Sequence, residues 1–281
     1  MMIARTISDV RRAVKAWRKE GLTIGLVPTM GYLHEGHASL VKAAKASCDR
    51  VVVSVFVNPT QFGPNEDLES YPRDFEHDCA LLEDLGTDLV FHPEPTELYF
   101  PDASTWVEVP SLAQNLCAKT RPTHFRGVCT VVSKLFHIAA PDKAFFGQKD
   151  AQQLAVIRRM VRDLNFDLEI VGCPIVREAD GLAKSSRNTY LNPKERQAAL
   201  ILNRSLKKGE ALIEAGETDT GRLLAVIKES IATEPLATLD YAEAVDADSM
   251  KPVATVEGNV LFAIAVYIGK TRLIDNFVVS R

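Results

Sequence analysis

The segment Leu22-Thr-Ile-Gly-Leu-Val-Pro-Thr-Met-Gly-Tyr-Leu-His-Glu-Gly-His37 decides the fold that the sequence predicts. Its apolar beginning, Leu22–Pro28, is typical of a buried strand, and a helical pattern follows the turn at Gly31 over Gly36–Ala46. A strand that passes through a glycine turn into a helix is the start of a βαβ unit, from which parallel sheets are built.

The same alternation of apolar runs and helical patterns continues through the first two thirds of the chain. Further strands are predicted at Arg50–Val57, Thr87–His92, Lys143–Phe146 and Leu168–Gly172. Further helices are predicted at Ile7–Lys19, Phe75–Leu85, Val128–Ile138 and Ala151–Leu164. We therefore predict an α/β fold, with a Rossmann-like parallel sheet that helices cover on both faces.

The pattern changes in the last third of the chain, where helical stretches precede strand-like runs. Helices are predicted at Lys194–Ala215 and Thr220–Ile231, and strands at Leu239–Val245, Val260–Ile268 and Arg272–Asp275. This order is typical of a separate, smaller α+β domain. We predict two domains, 1–176 and 177–281, with the boundary in the segment Val176–Asn188.

The composition excludes several classes of protein. Of the 281 residues, 46% are hydrophobic and 25% are charged, close to the roughly 45–50% and 25% of soluble globular proteins. A net charge of −4 offers no broad attraction to nucleic acid or to an anionic membrane. The N-terminus is charged, and no run of about 18 apolar residues occurs, so we expect a cytoplasmic protein that does not bind membranes.

The five cysteines are odd in number, widely spaced and without a CxxC pair. This pattern argues against a disulfide framework and against a zinc knuckle. We expect reduced, mostly buried thiols at Cys48, Cys79, Cys117, Cys129 and Cys173.

A pair of histidines stands where the first predicted strand meets its helix. His34 and His37 are three residues apart and can face the same side of a helix. Helix N-termini bind phosphates, and ligands of open α/β sheets lie beyond the carboxyl ends of the strands, so both imidazoles could donate hydrogen bonds to a triphosphate. The alternative is a pair of surface histidines. A zinc site is disfavoured, because the HExxH motif places its histidines four apart.

Two amide side chains follow the next strand. Asn58 and Gln61 lie in a polar loop after Arg50–Val57, where α/β enzymes place specificity groups. Their amides both donate and accept, which suits a substrate with hydroxyls beside a carboxylate. The alternative is that Asn58-Pro-Thr is only a turn.

The strand Lys143–Phe146 leads into Gly147-Gln148-Lys149-Asp150 and then a helix with Gln152 and Gln153. Here Lys149 could be a point charge for phosphate and Asp150 an acceptor for ribose hydroxyls. The alternative is that Asp150 caps the helix and Lys149 is solvated.

Two cations and two hydroxyls occupy the four consecutive positions Lys184, Ser185, Ser186 and Arg187, after a predicted turn at Asp180-Gly181. Such a loop can close over a polyanion and stabilise charge that develops on a transferred phosphate. An exposed charged loop is the alternative.

The P-loop, G-x-G-x-x-G and G-x-S-x-G motifs are absent from the sequence. P-loop proteins, classical dinucleotide-binding folds and enzymes with a G-x-S-x-G nucleophile elbow therefore lose support.

Six blocks, in order along the chain, together resemble the pantoate–β-alanine ligase (pantothenate synthetase) family of the HIGH-type nucleotidyltransferase superfamily. They are Pro28-Thr-Met-Gly-Tyr-Leu-His-Glu-Gly-His37, Val55-Phe-Val-Asn-Pro-Thr-Gln-Phe62, Tyr71-Pro-Arg73, Arg121-Pro-Thr-His-Phe-Arg-Gly-Val128, Phe145-Phe-Gly-Gln-Lys-Asp150 and Asp180-Gly-Leu-Ala-Lys-Ser-Ser-Arg-Asn188. The resemblance implies that D-pantoate attacks ATP, accompanied by Mg²⁺, to give pantoyl adenylate and pyrophosphate. The amine of β-alanine then displaces AMP and gives pantothenate.

The resemblance also implies roles for individual residues. Catalytic roles fall to His37, His34 and Lys149, where His37 occupies the position of the family's acid; we expect it to stabilise the leaving charge instead, since pyrophosphate is a weak base. Pantoate would bind to Gln61 and Gln153, with Asn58 beside them, and β-alanine to Gln61. The ATP-binding residues would be Met30, Gly31, Tyr32, Leu33, His34, Glu35, Gly36, His37, Gly147, Gln148, Lys149, Asp150, Val176, Lys184, Ser185, Ser186 and Arg187.

One position departs from the family pattern. Lys184 stands where the family usually has Met or Leu. It is similar to the lysine of the KMSKS loop in related synthetases, and we expect it to tune phosphate affinity or to point to solvent.

The resemblance further implies a small C-terminal domain hinged over the active site and a homodimer formed through the larger domain.

Two other functions remain open at this stage. A plain nucleotidyltransferase of the superfamily would share the histidines but lack the amine-accepting half-reaction; the Asn58–Gln61 loop and Arg121–Val128 favour the ligase. A nucleotide-binding regulatory module would need no pyrophosphate chemistry, and both histidines, Lys149 and the Ser-Ser-Arg loop disfavour it.

Overall fold

The chain forms two compact units in a computed structural model that describes residues 1–64 and 66–281. The first unit comprises Met1–Val109, Arg121–Gln148 and Val156–Pro174. The second comprises Pro110–Thr120, Lys149–Ala155 and Ile175–Arg281. The division at residue 176 that the sequence suggested stays a prediction.

The first unit is built on a six-stranded sheet, and all the pairings within it are parallel. Its strands are β1 Met2–Ala4, β2 Ile24–Thr29, β3 Arg50–Val55, β4 Leu89–Phe91, β5 Lys143–Gly147 and β6 Glu169–Cys173, in the order β1-β4-β3-β2-β5-β6. The predicted α/β class is confirmed. The sequence prediction missed β1, because its three residues are too short to show a period.

Helices connect these strands, as parallel pairing requires. They are α1 Ile7–Lys19, α2 Glu35–Ser47, α3 Phe75–Asp84, α4 Pro95–Leu98, α5 Cys117–Thr120, α6 His124–Ala139 and α7 Ala151–Asp163, of which α5 lies in the second unit and α7 begins there. Residues of β2, β3 and β4 alternate between the sheet faces. Val27, Val53 and Val90 of one face pack in a single core with Leu40 of α2 and Leu82 of α3.

The second unit contains an antiparallel sheet with helices. Its further elements are α8 Pro193–Ala198, α9 Ile201–Glu214, α10 Thr220–Ala232, β7 Ala237–Asp246, β8 Asn259–Ile268 and β9 Thr271–Ser280, with sheet order β7-β8-β9. Leu206 of α9, Ile227 of α10, Phe262 of β8 and Phe277 of β9 share its core.

One helix prediction in the second unit was wrong. The pattern suggested a single helix over Lys194–Ala215, but α8 ends at Ala198 and α9 begins at Ile201. Consecutive residues Ala198–Asn203 are all buried. One straight helix cannot turn six successive side chains toward a core on one side. The regular helix is interrupted at Ala199 and Leu200, which form a turn between α8 and α9.

The cysteines are free thiols, as predicted, and Cys117, Cys129 and Cys173 are buried. Removal from water disfavours the thiolate and raises the pKa of Cys129 to about 12.

Among the described residues, we find no helix with the length and apolar character needed to cross a membrane.

Candidate active site

The order of the strands places a topological switch point between β2 and β5 in the first unit. Strands β2 and β5 are neighbours, with Leu26 opposite Ala144. Strands β3, β4 and β1 lie on the far side of β2, and β6 lies on the far side of β5, so the strand order runs in opposite directions from this pair. Ligands of open α/β sheets bind at such a switch point, beyond the carboxyl ends of the strands. Both the histidine loop after β2 and Gly147-Gln148 at the end of β5 therefore lie where a ligand is expected.

A buried carboxylate holds the loop that leads into α2. Gly31 and Tyr32 have positive φ angles of 82° and 52°. The Asp78 carboxylate of α3 accepts the main-chain N–H groups of Tyr32 at 2.9 Å and Leu33 at 2.7 Å. A Cβ at Gly31 would lie 3.0 Å from Asp78 Oδ2, so glycine serves both the turn and this close contact. Burial raises the pKa of Asp78, although both N–H bonds oppose the shift.

The two histidines cap α2 with their own rings. His34, the N-cap residue, accepts the N–H of Gly36 on Nδ1 at 3.1 Å, and His37 Nδ1 accepts the N–H of His34 at 3.3 Å. Their ring centroids are 4.1 Å apart. Because each Nδ1 accepts a hydrogen bond, the neutral rings carry their proton on Nε2. The helix start thus holds two adjacent imidazoles whose Nε2–H groups are donors.

A hydrogen-bond network orients Gln61. Asn58 is almost completely buried, and its Nδ2 donates to Gln61 Oε1 at 3.0 Å and to the Gly127 carbonyl at 3.2 Å. Its Oδ1 accepts from the hydroxyls of Tyr99 at 2.8 Å and Thr60 at 3.0 Å. These bonds use the full capacity of the Asn58 amide, so Asn58 positions Gln61. The sequence prediction did not include Tyr99, whose pKa is raised by burial.

Gln61 also contacts the first candidate ATP loop. Its Nε2 donates to Met30 Sδ at 2.9 Å, and its carbonyl accepts from His124 Nδ1 at 2.9 Å and from Arg121. Arg121 in turn forms an ion pair with Glu66. The block Arg121–Val128 therefore supports the loop that carries Gln61.

Gly127 allows helix α6 to touch this loop. A Cβ there would lie 2.3 Å from the Thr60 carbonyl oxygen and 2.6 Å from the Gln61 nitrogen. We expect Gly127→Ala to destabilise the protein by about 3 kcal/mol, because main-chain atoms must move. Urea unfolding measures this. Gly221→Ala is the matched control, since its Cβ would meet only a carboxylate oxygen of Asp219 at 3.0 Å. Equal stability of the two variants would contradict the prediction.

In the second unit, Lys149 and Asp150 lie in a 3₁₀ turn, Gln148–Asp150, that opens α7. Gln152, in the first turn of α7, is buried. Its Oε1 accepts the N–H of Cys117 at 3.0 Å, and its Nε2 donates to the carbonyls of Leu112 at 3.0 Å and Asn115 at 2.8 Å. Gln152 therefore fixes the start of α7, which carries the candidate pantoate ligand Gln153.

The segment 176–184 forms a short hairpin. The N–H of Lys184 donates to the Val176 carbonyl at 2.9 Å, and Gly181 at the turn has a φ of 96°, which confirms the predicted turn. Ser185 then caps the 3₁₀ helix Ser186–Tyr190 through the N–H of Arg187. Lys184 Nζ lies 2.8 Å from Glu178 Oε2 across the hairpin.

The ion pair predicts a small effect of the unusual lysine. Glu178 is partly exposed and can be solvated without Lys184, and such pairs contribute about 1 kcal/mol or less. A free energy of about 1 kcal/mol corresponds to roughly a fivefold change in affinity. We therefore expect Lys184→Met to change the ATP KM by less than about fivefold. Steady-state kinetics test this. Glu178→Gln is the control, because it removes the carboxylate of the ion pair and keeps the lysine. A severe loss of turnover in Lys184→Met alone would show that the ammonium takes part in the chemical step and does not merely tune phosphate affinity.

A small cavity in the second unit brings Lys149 and Ser185 together. Asn188 and Asp275 also line it, and Asn188 Oδ1 is buried without a hydrogen-bond partner among the described residues. In the first unit, the hydrogen bond from Gln61 to Met30 connects the loop that carries Asn58 and Gln61 with the loop that carries the two histidines. Over residues 1–64 and 66–281, no group of three or more His, Cys, Asp or Glu is arranged to hold a metal ion.

Comparison with known proteins gives a consistent result along the chain. The family model described as pantoate-beta-alanine ligase matches residues 2–278. The pantothenate synthetase of Clostridium acetobutylicum is 58% identical over 277 residues, which cover 99% of each chain. That of Enterococcus faecalis is also 58% identical over 277 residues, with 99% of this chain and 98% of the relative covered.

Two solved structures are similar over the same length. Pantothenate synthetase from Thermus thermophilus has a TM-score of 0.93 and 42% identity, with 99% of each chain covered. Pantoate-beta-alanine ligase from Francisella tularensis, complexed with beta-gamma ATP and beta-alanine, has a TM-score of 0.81 and 35% identity, with 99% of this chain and 97% of that chain covered. Because sequence family, relatives and solved structures agree over nearly the entire length, this chain belongs to the pantoate–β-alanine ligase family of enzymes.

Proposed function

We propose that this enzyme joins D-pantoate to β-alanine in two half-reactions, through a pantoyl adenylate made from ATP. The observation that carries the proposal is the histidine pair at the N-terminus of α2. There, two Nε2–H donors and the partial positive charge of a helix N-terminus are held at the switch point of a parallel sheet.

In the first half-reaction, a carboxylate oxygen of pantoate attacks the α-phosphorus of ATP. The bond from the α-phosphorus to the bridging oxygen breaks, and pyrophosphate leaves with the bonding electrons. Negative charge grows on this leaving group, so donors that are already oriented lower the barrier. His34 and His37 supply such donors, and the ammonium of Lys149 supplies a full positive charge. No proton transfer is required of His37 in this step.

The acid substrate binds to amide side chains. Gln61 donates from Nε2 to the sulfur of Met30, which is a weak acceptor. A carboxylate or hydroxyl oxygen of pantoate is a stronger acceptor, so substrate can take over this donor without leaving a buried group unpaired. Asn58 acts through Gln61, and Gln153 supplies a further amide.

In the second half-reaction, the amine of β-alanine attacks the carbonyl carbon of the adenylate. The amide bond forms, AMP leaves with the electrons of the mixed-anhydride bond, and the amine loses a proton to solvent. The Francisella tularensis relative, complexed with beta-gamma ATP and beta-alanine, supports both a nucleotide and an amine as ligands. Gln61 is the proposed contact for β-alanine.

The remaining assignments complete the proposal. Asp150 binds ribose, Val176 binds adenine through its main chain, and Lys184–Arg187 contact the phosphates. Mg²⁺ enters as part of the Mg·ATP substrate, since this ion keeps phosphate and water ligands in such reactions. The homodimer, the cytoplasmic location and the closing C-terminal domain stay predictions.

Pyrophosphate release from ATP tests the proposal. We expect release to require D-pantoate, and pantothenate to appear by mass spectrometry only when β-alanine is added. Pyrophosphate without an amide product would indicate a plain nucleotidyltransferase. Binding of ATP with no pyrophosphate in any mixture would indicate a regulatory module.

A further inference from the structure

The last strand of the second unit contacts the main chain of Lys149. Asn276 of β9 is almost completely buried, with 4% of its surface exposed. Its Nδ2 donates to the carbonyl oxygen of Lys149 at 2.8 Å. The two residues are 127 positions apart in the sequence, so no local pattern requires this bond.

Asp275, the preceding residue, ties Asn276 to the hairpin 176–184. Its Oδ1 accepts the N–H of Asn276 at 2.8 Å. Its two oxygens also accept from Arg177, at 2.7 and 2.9 Å, and Arg177 donates to the Gly181 carbonyl at 3.2 Å. A continuous series of hydrogen bonds therefore connects the main chain of Lys149 with the hairpin that carries Val176 and Lys184.

The Asn276 bond restrains one peptide plane. The Lys149 carbonyl belongs to the peptide group between Lys149 and Asp150, and its orientation sets the direction in which both side chains leave the main chain. A lysine side chain has many rotamers, so a fixed origin limits how widely its ammonium ranges. Preorganised charge is what stabilises a transition state, and small displacements of such groups reduce rate strongly.

We propose that Asn276 is a positioning residue for Lys149, and that Asp275 and Arg177 hold Asn276 in place for this task. The inference rests on the proposed function of Lys149 as a phosphate ligand. Asn276 need not touch substrate, and it acts only through the lysine main chain. The C-terminal strand, which carries no motif of known chemistry, thereby takes part in ATP activation.

A double-mutant cycle tests this inference. The proteins are the wild type, Asn276→Ala, Lys149→Ala and the double variant, each assayed for pantoate-dependent pyrophosphate release. We expect Asn276→Ala to lower the rate about tenfold or more, since misplacement of a catalytic group by about 1 Å has effects up to 100-fold. In the Lys149→Ala background, we expect the same substitution to change the rate less than about twofold, because coupled residues are not additive.

Thr220→Ala is the matched control, because the hydroxyl of the buried Thr220 also donates to a main-chain carbonyl, that of Val253 at 2.6 Å, in the same unit. We expect it to match Asn276→Ala in thermal stability and the wild type in rate. Asn276→Ser, which keeps a polar side chain on the strand, replaces Asn276→Ala in the cycle if the alanine variant does not fold.

Two outcomes would overturn the inference: a wild-type rate in Asn276→Ala, or equal losses from this substitution in the wild-type and Lys149→Ala backgrounds. Titration of the same four proteins with a non-hydrolysable ATP analogue repeats the cycle without chemistry. If the wild type releases no pyrophosphate, the proposed reaction fails, and the affinity cycle still decides whether Asn276 acts through Lys149. Additive affinities in that cycle would reject the positioning role by themselves.

Discussion

His37→Gln is expected to lower pantoate-dependent pyrophosphate release by about 10²- to 10³-fold, as loss of one preorganised donor to a developing anion does elsewhere. The fold should remain. His37 is the third residue of α2 and accepts the N–H of the N-cap residue His34. Glutamine is a preferred residue at that helix position, and its Oε1 accepts the same N–H, so the cap survives. Its amide NH2 is also a donor, but it stands on a more flexible side chain than the ring and cannot become cationic, so the preorganised imidazole donor is lost.

The substitution therefore separates a role in catalysis from a role in capping. His34→Asn makes the corresponding change at the N-cap, where asparagine is also preferred. His77→Gln is the matched control, because His77 occupies the third position of α3 and is exposed. We expect the three variants to melt within a few degrees of the wild type. A near-normal rate in His37→Gln, or a rate loss equal to that of His77→Gln, would contradict the role of His37.

The elements that sequence predicted well are those that local patterns specify. Helix α1 occupies Ile7–Lys19 as predicted, and β2, α2, β3 and β5 lie within a few residues of their predicted positions. The histidine pair and Gln61 could be predicted as site residues because strand ends and helix starts are local features, and ligands of parallel sheets bind there. The reason for two histidines at one helix start, mutual capping through Nδ1, was not visible without coordinates.

The supporting residues of the site could not be predicted, because they lie far away in the sequence. Asp78 contacts Tyr32 over 46 positions and Tyr99 contacts Asn58 over 41. By sequence, Asp78 is one of several acidic residues at a helix start, which are usually solvated. Gly127 looks like a poor helix residue until its contact with Thr60 is known. Such residues are recognised only from the packing of elements that local patterns cannot orient.

Lys149→Ala is expected to reduce adenylate formation by about 10³-fold, the second large effect, while leaving the fold intact. The side chain lies at the surface of a 3₁₀ turn and is only half-buried, so its removal opens no large cavity in a core. Its charge is what the reaction uses, since pyrophosphate gains negative charge as it leaves.

Lys149→Met separates charge from packing, because methionine keeps most of the apolar stem and has no ammonium. Both variants should therefore lose rate equally. The larger part of the loss should lie in kcat, because an interaction that strengthens in the transition state affects turnover more than ground-state binding, and the lost contact with the phosphates should also weaken binding of an ATP analogue measurably. Lys194→Ala, at an exposed position in the first turn of α8, is the matched control and should turn over normally. Near-normal turnover in Lys149→Ala would refute the phosphate role. A full rate in Lys149→Met beside a slow Lys149→Ala would show instead that the stem supports the start of α7, and that the histidines and the helix N-terminus alone stabilise the leaving charge.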